Sequence, residues 1–224
     1  VLGVLTNGEP LDLEVSFDRA GDFRRCSIAM RARMTGQGGV SGAILSVMDV
    51  TERERLRAEV QRQARFDLLT GLLNRGAILE TLENALSRLK PGGGIAVLFI
   101  DLDGFKQIND EFGHAAGDAL LRCVGTRLEQ AMRAQDTAGR LGGDEFVVVR
   151  EGVDSSADAL AIGTRIHATL TAPTIIGTRH VVPGSSIGVA WTGVAVDQDV
   201  LVARADGAMY QAKSNKAGPM LSTI

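Results

Sequence analysis

The sequence predicts an α/β (α+β) protein in which helices cover one mixed β-sheet, and three observations predict it. From Arg75 onward, segments with helical apolar spacing alternate with short β-branched runs, the pattern of helices layered on a sheet. Ile95-Ala96-Val97-Leu98-Phe99-Ile100 is an unbroken apolar run of strand length, which reads as a buried strand. Arg140 to Val149 sets Gly142-Gly143 between two short apolar runs, a hairpin signal, because both glycines can take φ > 0 at little steric cost. The chain has 224 residues, 45% apolar but only 4% aromatic, so its core must be built from Val, Leu, Ile and Ala.

Residues 1–50 read as β. Leu11-Asp12-Leu13-Glu14-Val15 alternates apolar with acidic, Gly21-Asp22 and Gly36-Gln37-Gly38-Gly39 mark turns, and Ile44 to Val50 closes the group. Three short strands make a thin core, below the size at which domains usually stand alone, so the domain is expected to begin before Val1. Thr51 to Phe66 has no Gly or Pro. Thr51 is the expected N-cap, with Glu54 completing a capping box. Leu56, Val60 and Ala64 form an i, i+4 stripe on an otherwise polar helix, which reads as half of a short two-chain coiled coil rather than a core element.

Thr70-Gly71 is a turn, and Asn74 caps a helix expected over about Arg75 to Leu89. The strand Ile95–Ile100 runs straight into Asp101-Leu102-Asp103-Gly104-Phe105-Lys106. Carboxylates at the end of a buried strand are costly unless paired or bound to a cation. Lys106 to His114 reads as a short helix and turn, and Ala116-Gly117-Asp118 as the start of a longer helix through Met132. Helices are also expected over Ser155 to Leu170 and Val200 to Lys213, and strands over Thr174 to Ile176 and Ser185 to Trp191.

Net charge is −3, which argues against a general nucleic-acid binder. Cys26 and Cys123 stand far apart in unrelated contexts and form neither a disulfide framework nor a metal spacing, as expected in a reducing compartment. The longest apolar run is too short to span a bilayer and no signal peptide opens the chain. This portion therefore reads as cytoplasmic, with room for a sensor or membrane segment upstream of Val1 that would attach the whole protein to a membrane.

Two resemblances organise these pieces. Asp49-Val50-Thr51-Glu52-Arg53 resembles the close of a PAS sensor domain, where the last strand hands over to a signalling helix. Asp67 to Arg75, then Asp101 to Asp110 with Gly113-His114 and Gly117-Asp118, then Gly142 to Phe146, resemble in order and spacing the motifs of GGDEF domains. The resemblance implies residues 1–50 as part of a PAS-like domain, 51–66 as a linker helix and 67–224 as a GGDEF domain. It also implies a sheet like the palm of adenylyl cyclases and polymerases. Family members are diguanylate cyclases, which condense two GTP into cyclic di-GMP and release pyrophosphate.

By resemblance, Asp101, the Leu102 carbonyl and Asp144 bind Mg²⁺ or Mn²⁺, and Asp144 is the candidate proton acceptor. Hard oxygen donors together with phosphate oxygens suit such a cation. Glu145 ranks second, because adjacent strand residues face opposite ways. Asn109 and Asp118 recognise guanine, whose edge an amide and a carboxylate can match. An alternative is that Asp118 caps the helix beginning nearby. Lys106 sits against the phosphates, which backbone N–H groups around Gly104 and Phe105 cradle, and Lys213 resembles the family's phosphate-binding lysine. Gly142 and Gly143 leave the nucleotide room, and His114 orders its turn.

Arg133-Ala134-Gln135-Asp136 resembles the inhibitory product site, an Arg-x-x-Asp, with Arg165 joining from the next helix. One departure is plain. The family usually continues Ala-Lys-x-x-Gly-(Arg/Lys)-Asn after the last helix, whereas this chain reads Ala212-Lys213-Ser214-Asn215-Lys216-Ala217-Gly218-Pro219, so Lys216 receives no role. The expected protein is an active, homodimeric, product-inhibited cyclase. The alternative is a non-catalytic module that binds GTP or cyclic di-GMP and regulates a neighbouring domain. Degenerate signature residues would favour the alternative, and Gly142 to Phe146 carry none.

Overall fold

The computed structural model describes residues 2–36 and 38–222. Gln37, within one expected turn, and Thr223 and Ile224, at the end of the expected 67–224 domain, lie outside the described residues. The chain divides into two compact units, Val1–Arg62 and Gln63–Ile224.

In the first unit, a short helix α1 (Leu2–Asn7), which the sequence did not announce, precedes β1 (Leu11–Arg19), β2 (Asp22–Met34) and β3 (Val40–Asp49). The strands form an antiparallel sheet in the order β1-β2-β3. The helix α2 (Thr51–Arg65) follows and continues past the boundary between the units. Its start differs from the expected capping box. The Thr51 hydroxyl accepts from the Arg25 backbone N–H at 2.8 Å, and the Asp49 carboxylate accepts from the Thr51 N–H at 2.9 Å. Thr51 therefore ties the helix back to β2, while the residue two before it supplies the cap, because tertiary hydrogen bonding outcompeted the local motif.

The second unit holds α3 (Arg75–Ser87), β4 (Ile95–Asp103), α4 (Phe105–Phe112), α5 (His114–Ala131), β5 (Thr137–Gly142), β6 (Glu145–Glu151) and α6 (Ser156–Leu170). It continues through β7 (Thr174–Ile176), β8 (Arg179–Val181), β9 (Gly184–Thr192), α7 (Gln198–Asn215) and β10 (Met220–Leu221). Five strands make one sheet in the order β10-β9-β4-β6-β5. The central strand β4 runs antiparallel to both β6 and β9, and β10 adds a parallel edge, so the sheet is mixed. The strands β7 and β8 form a separate hairpin, of which the sequence indicated only the first half.

Period-two alternation sorts the sheet residues into two layers. Leu98, Ile100, Phe146 and Val148 pack with Leu120, Leu121, Val124 and Leu128 of α5 and Ile166 and Leu170 of α6. Val97, Phe99, Val147 and Val149 pack on the other face with Ile78 and Leu82 of α3 and Leu201 and Ala205 of α7. Every residue of β4 from Ile95 to Leu102 is buried. Each fully buried Leu, Ile or Val contributes roughly 1.5–3 kcal/mol relative to exposure. Packing on both faces thus anchors the strand whose tip carries Asp101 and Asp103.

Candidate active site

The tip of β4 and the β5–β6 hairpin bring the acidic residues together. Pairing β4 with β6 sets Asp101 opposite Glu145, and opposite residues of an antiparallel pair share a face. This corrects the expectation that Glu145 faces away. The alternation rule assumed that Asp144 and Glu145 both lie in a regular strand. Gly142 instead pairs with Glu145, leaving Gly143 and Asp144 as the two turn residues. Gly143 takes φ +53, a conformation that favours glycine. A Cβ at Gly142 or Gly143 would meet nothing within 4 Å, so open space lies beside the turn.

Arg140 holds this turn in place. Its Nε and Nη2 donate to the Gly143 carbonyl at 3.0 and 2.7 Å, while its Nη1 reaches both Asp67 carboxylate oxygens at 3.1 and 3.2 Å. The Thr70 N–H and hydroxyl also donate to Asp67. Burial works against the Asp67 charge, yet the Thr70 hydrogen bonds and the Arg140 guanidinium hold its carboxyl below the ordinary range. The motif at 67–75 therefore braces the hairpin. Sequence reasoning had assigned no job to Asp67 or Arg140.

The electrostatics of the tip call for positive charge. Burial pushes the Asp101 carboxyl up, and the charges of Asp144 and Asp103 push it further, against the opposition of Lys213. Glu145 is also raised, first by burial and then by Asp101, Asp206 and Asp144. Lys213 Nζ meets Asp101 Oδ1 at 2.6 Å, an ion pair that raises the lysine's own pKa. Asp206 and Lys213 lie seven residues apart on α7, hence on one helix face.

Among the described residues, no three His, Cys, Asp or Glu side chains close into a protein-only metal cage. Mg²⁺ does not require one, since it is commonly held by one or two carboxylates plus phosphate oxygens and water. Mutually repelling carboxylates at a strand tip fit that donor chemistry.

Beside the tip, Gly104 takes φ +71 and opens α4 with no side chain capping it, so the first-turn N–H groups of Phe105 and Lys106 are placed for an anion. Asn109 on α4 packs its amide oxygen against Gly117 of α5, so closely that a Cβ at Gly117 would collide with it. Asp118 is the next residue along. The helix α5 begins at His114 with Gly113 as its cap, so Asp118 lies inside the helix and does not cap it. This removes the alternative role for Asp118. Asn109 and Asp118 thus sit on adjoining helices.

At the end of α7, Lys216 takes φ 47, ψ 41, the left-handed position at which helices favour glycine. The lysine that departs from the family pattern thus adopts a backbone conformation that glycine takes at little cost. A cavity of about 480 Å³ lies here, lined by Asp103, His167, Ser185, Ser186, Lys213 and Lys216 among others. Ser186 donates to Asp103 at 2.8 Å, and His167 Nδ1 lies 3.1 Å from the Ser185 hydroxyl.

Arg133 and Arg165 face a second cavity of about 410 Å³, with Arg150, Asp154 and Asp158 also in its wall. The Asp136 carboxylate turns inward, where Oδ2 accepts from the Arg133 N–H at 2.9 Å and stands 3.2 Å from Arg150 Nη1. Sequence reasoning missed Arg150.

A family profile described as "Diguanylate cyclase, GGDEF domain" matches residues 64–218. An uncharacterised protein of Sinorhizobium fredii is 37% identical over 95% of this chain and 27% of its own length. The diguanylate cyclase TpbB of Pseudomonas aeruginosa is 41% identical over 72% of this chain and 38% of its own. A crystal structure of the coiled coil and GGDEF domain of DgcB from Caulobacter crescentus in complex with cyclic di-GMP superposes with a TM-score of 0.68 at 26% identity, covering 76% of this chain and 93% of that one. The chain spans only 22–27% of the length of the first curated relatives it matches.

Proposed function

This chain belongs to the GGDEF domain family, and from that premise we propose that it is an active diguanylate cyclase, condensing two GTP into cyclic di-GMP and two pyrophosphates. The observation that carries the proposal is the convergence of Asp101, Asp144 and Glu145 at a strand tip beside the uncapped start of α4. In each half-reaction a ribose 3′-oxygen forms a bond to the α-phosphorus of the other GTP. The α–β phosphoanhydride bond breaks, pyrophosphate leaves with the electron pair, and the hydroxyl proton passes to a base.

Asp144 is the candidate base, since it stands on a turn with open space beside it. Asp101, Asp144 and the Leu102 carbonyl would hold Mg²⁺, or Mn²⁺ in its place, with Glu145 close by; the cation supplies charge neutralisation for the triphosphate. Lys106 and Lys213 add positive charge, which requires Lys213 to exchange its Asp101 partner for phosphate. The first-turn N–H groups after Gly104 receive phosphate oxygens, and Asn109 with Asp118 reads the guanine edge.

One chain offers one guanine site, so two GTP must meet across a homodimer. The proposed dimer contact is the exposed Leu56 and Val60 stripe of α2. The cavity faced by Arg133 and Arg165 is the proposed product-inhibition site, since guanidinium forks pair with phosphate or with a guanine edge. A cytoplasmic setting would supply the GTP, and among the described residues no helix is long and apolar enough to cross a membrane.

The test is incubation of the purified chain with GTP and Mg²⁺, followed by chromatographic separation of products. Cyclic di-GMP is expected. Asp144→Ala is expected to lower turnover by about 10²–10⁴-fold, the usual contribution of a positioned base. Nucleotide binding without turnover in the unaltered chain would instead establish the non-catalytic module.

A further inference from the structure

The cavity between the end of β6 and α6 contains a cation that neither the motifs nor the proposed reaction uses. Arg150 follows the apolar run Phe146–Val149 near the end of β6 and is only 4% exposed. The reason it points where it does is register. The β5–β6 ladder ends at Thr137 opposite Val149, and one further step brings Asp136 opposite Arg150. Their side chains, 4% and 5% exposed, form a buried cross-strand ion pair at 3.2 Å.

That pair leaves Arg150 under-satisfied. A guanidinium carries five N–H donors in a planar fork. The Asp136 oxygen it approaches already accepts from the Arg133 backbone N–H. Nη1 is buried with no hydrogen-bond partner among the described residues. Burial of a charged group in this condition is unfavourable unless an acceptor completes it. The guanidiniums of Arg133 and Arg165 also bear on it. Burial lowers the Arg150 pKa, Asp136 opposes, and those two arginines lower it further. Of the acids in the cavity wall, Asp158 is engaged by the Ser155 hydroxyl at 2.6 Å. Arg165 donates to the Ala131 carbonyl at 3.3 Å and, among the described residues, has no other hydrogen-bond acceptor.

We propose that Arg150 is a third arginine of the product site, that its fork takes a phosphate of cyclic di-GMP beside Arg133 and Arg165, and that its pairing with Asp136 fixes the carboxylate of the Arg-x-x-Asp motif in place. A bis-phosphate ligand brings two anionic groups and supplies the acceptors that the folded chain lacks there. The inference rests on the reading of this cavity as the product site.

The test titrates cyclic di-GMP into the full chain by calorimetry, comparing wild type with Arg150→Met, Arg150→Lys, Arg133→Ala and Arg165→Ala. Arg150→Met is expected to weaken product binding by about tenfold or more, the scale of a lost hydrogen bond to a charged group. Its initial rate of pyrophosphate release is expected to be unchanged, and Arg150→Lys, which keeps charge without the fork, to recover part of the affinity. Wild-type affinity in Arg150→Met, alongside weakened binding in Arg165→Ala, overturns the inference and leaves the product site standing. Wild-type affinity in Arg165→Ala and Arg133→Ala overturns the site itself. Because removing a buried, ion-paired arginine can itself harm folding, the Nε–H resonance of Arg150 is followed in the unaltered chain during the same titration. A shift that saturates with product is expected, and an unmoved resonance overturns the inference.

Discussion

Asp101 is held in a conflict that sets the pH behaviour of the site. Burial and its acidic neighbours raise its carboxyl above the ordinary 3.8, and Glu145 is raised above the ordinary 4.5. A raised folded-state value means that the folded chain holds these protons more tightly than the unfolded chain. The associated stability is complete below the ordinary values and is lost as pH rises through the raised ones. A divalent cation that binds the ionised pair reverses that loss. Mg²⁺ is therefore expected to raise the melting temperature at about pH 8 and to lose this effect as pH falls toward 4, where the carboxylates protonate. A thermal-shift series across pH checks it, and an Mg²⁺ effect independent of pH would speak against cation binding here. Arg140 makes the second residue-scale case. Arg140→Met severs the link between Asp67 and the Gly143 carbonyl and is expected to cost about 1.5–3 kcal/mol, the range for hydrogen bonds to charged groups. Turnover should fall more than nucleotide binding, because the turn carries Asp144. Denaturant melts and steady-state kinetics separate the two effects. Asp101 and Asp144 were legible from their places at a strand end and a hairpin. Glu145 was misread, because the period-two rule does not reach into a turn, and Arg150 was missed, because its partner Asp136 is revealed only by extending the register.

At the scale of elements, the ends of helices decided more than their middles. The apolar spacing of Arg75–Ser87, Ser156–Leu170 and Gln198–Asn215 was readable, and the Asn74 and Ser155 caps formed as their residue types favour. The helix α5 began two residues earlier than expected, at His114, since Gly113 with φ +81 already supplies the break. The last helix ends with Lys216 in the left-handed region, a conformation that costs an L-residue roughly 1–2 kcal/mol. Lys216→Gly is expected to stabilise the fold by about 1 kcal/mol, less any favourable interaction of the lysine with the helix end. Chemical denaturation would measure it. A loss of stability would mean that Lys216 makes a contribution through its side chain in the cavity it shares with Lys213.

At the scale of the whole molecule, the proposed reaction joins two nucleotides held by two chains, so its rate is expected to follow the encounter between domains. The helix α2 exposes Leu56 at 61% and Val60 at 64%, and such a stripe on a polar helix is what a coiled-coil partner would cover. Replacing both with glutamate is expected to lower turnover, most at low protein concentration, while leaving GTP affinity intact. Sedimentation and kinetics over a concentration series would test this, and concentration-independent turnover would place the dimer contact elsewhere. The amino-acid sequence alone determined the helix-on-sheet class, the acidic strand tip and the family, because periodicity and short motifs are local and survive without coordinates. Tertiary structure decided which carboxylate stands opposite Asp101, what braces the hairpin and where the buried Arg150 finds Asp136. Strand register and burial join residues far apart in the chain, and no local pattern encodes that pairing.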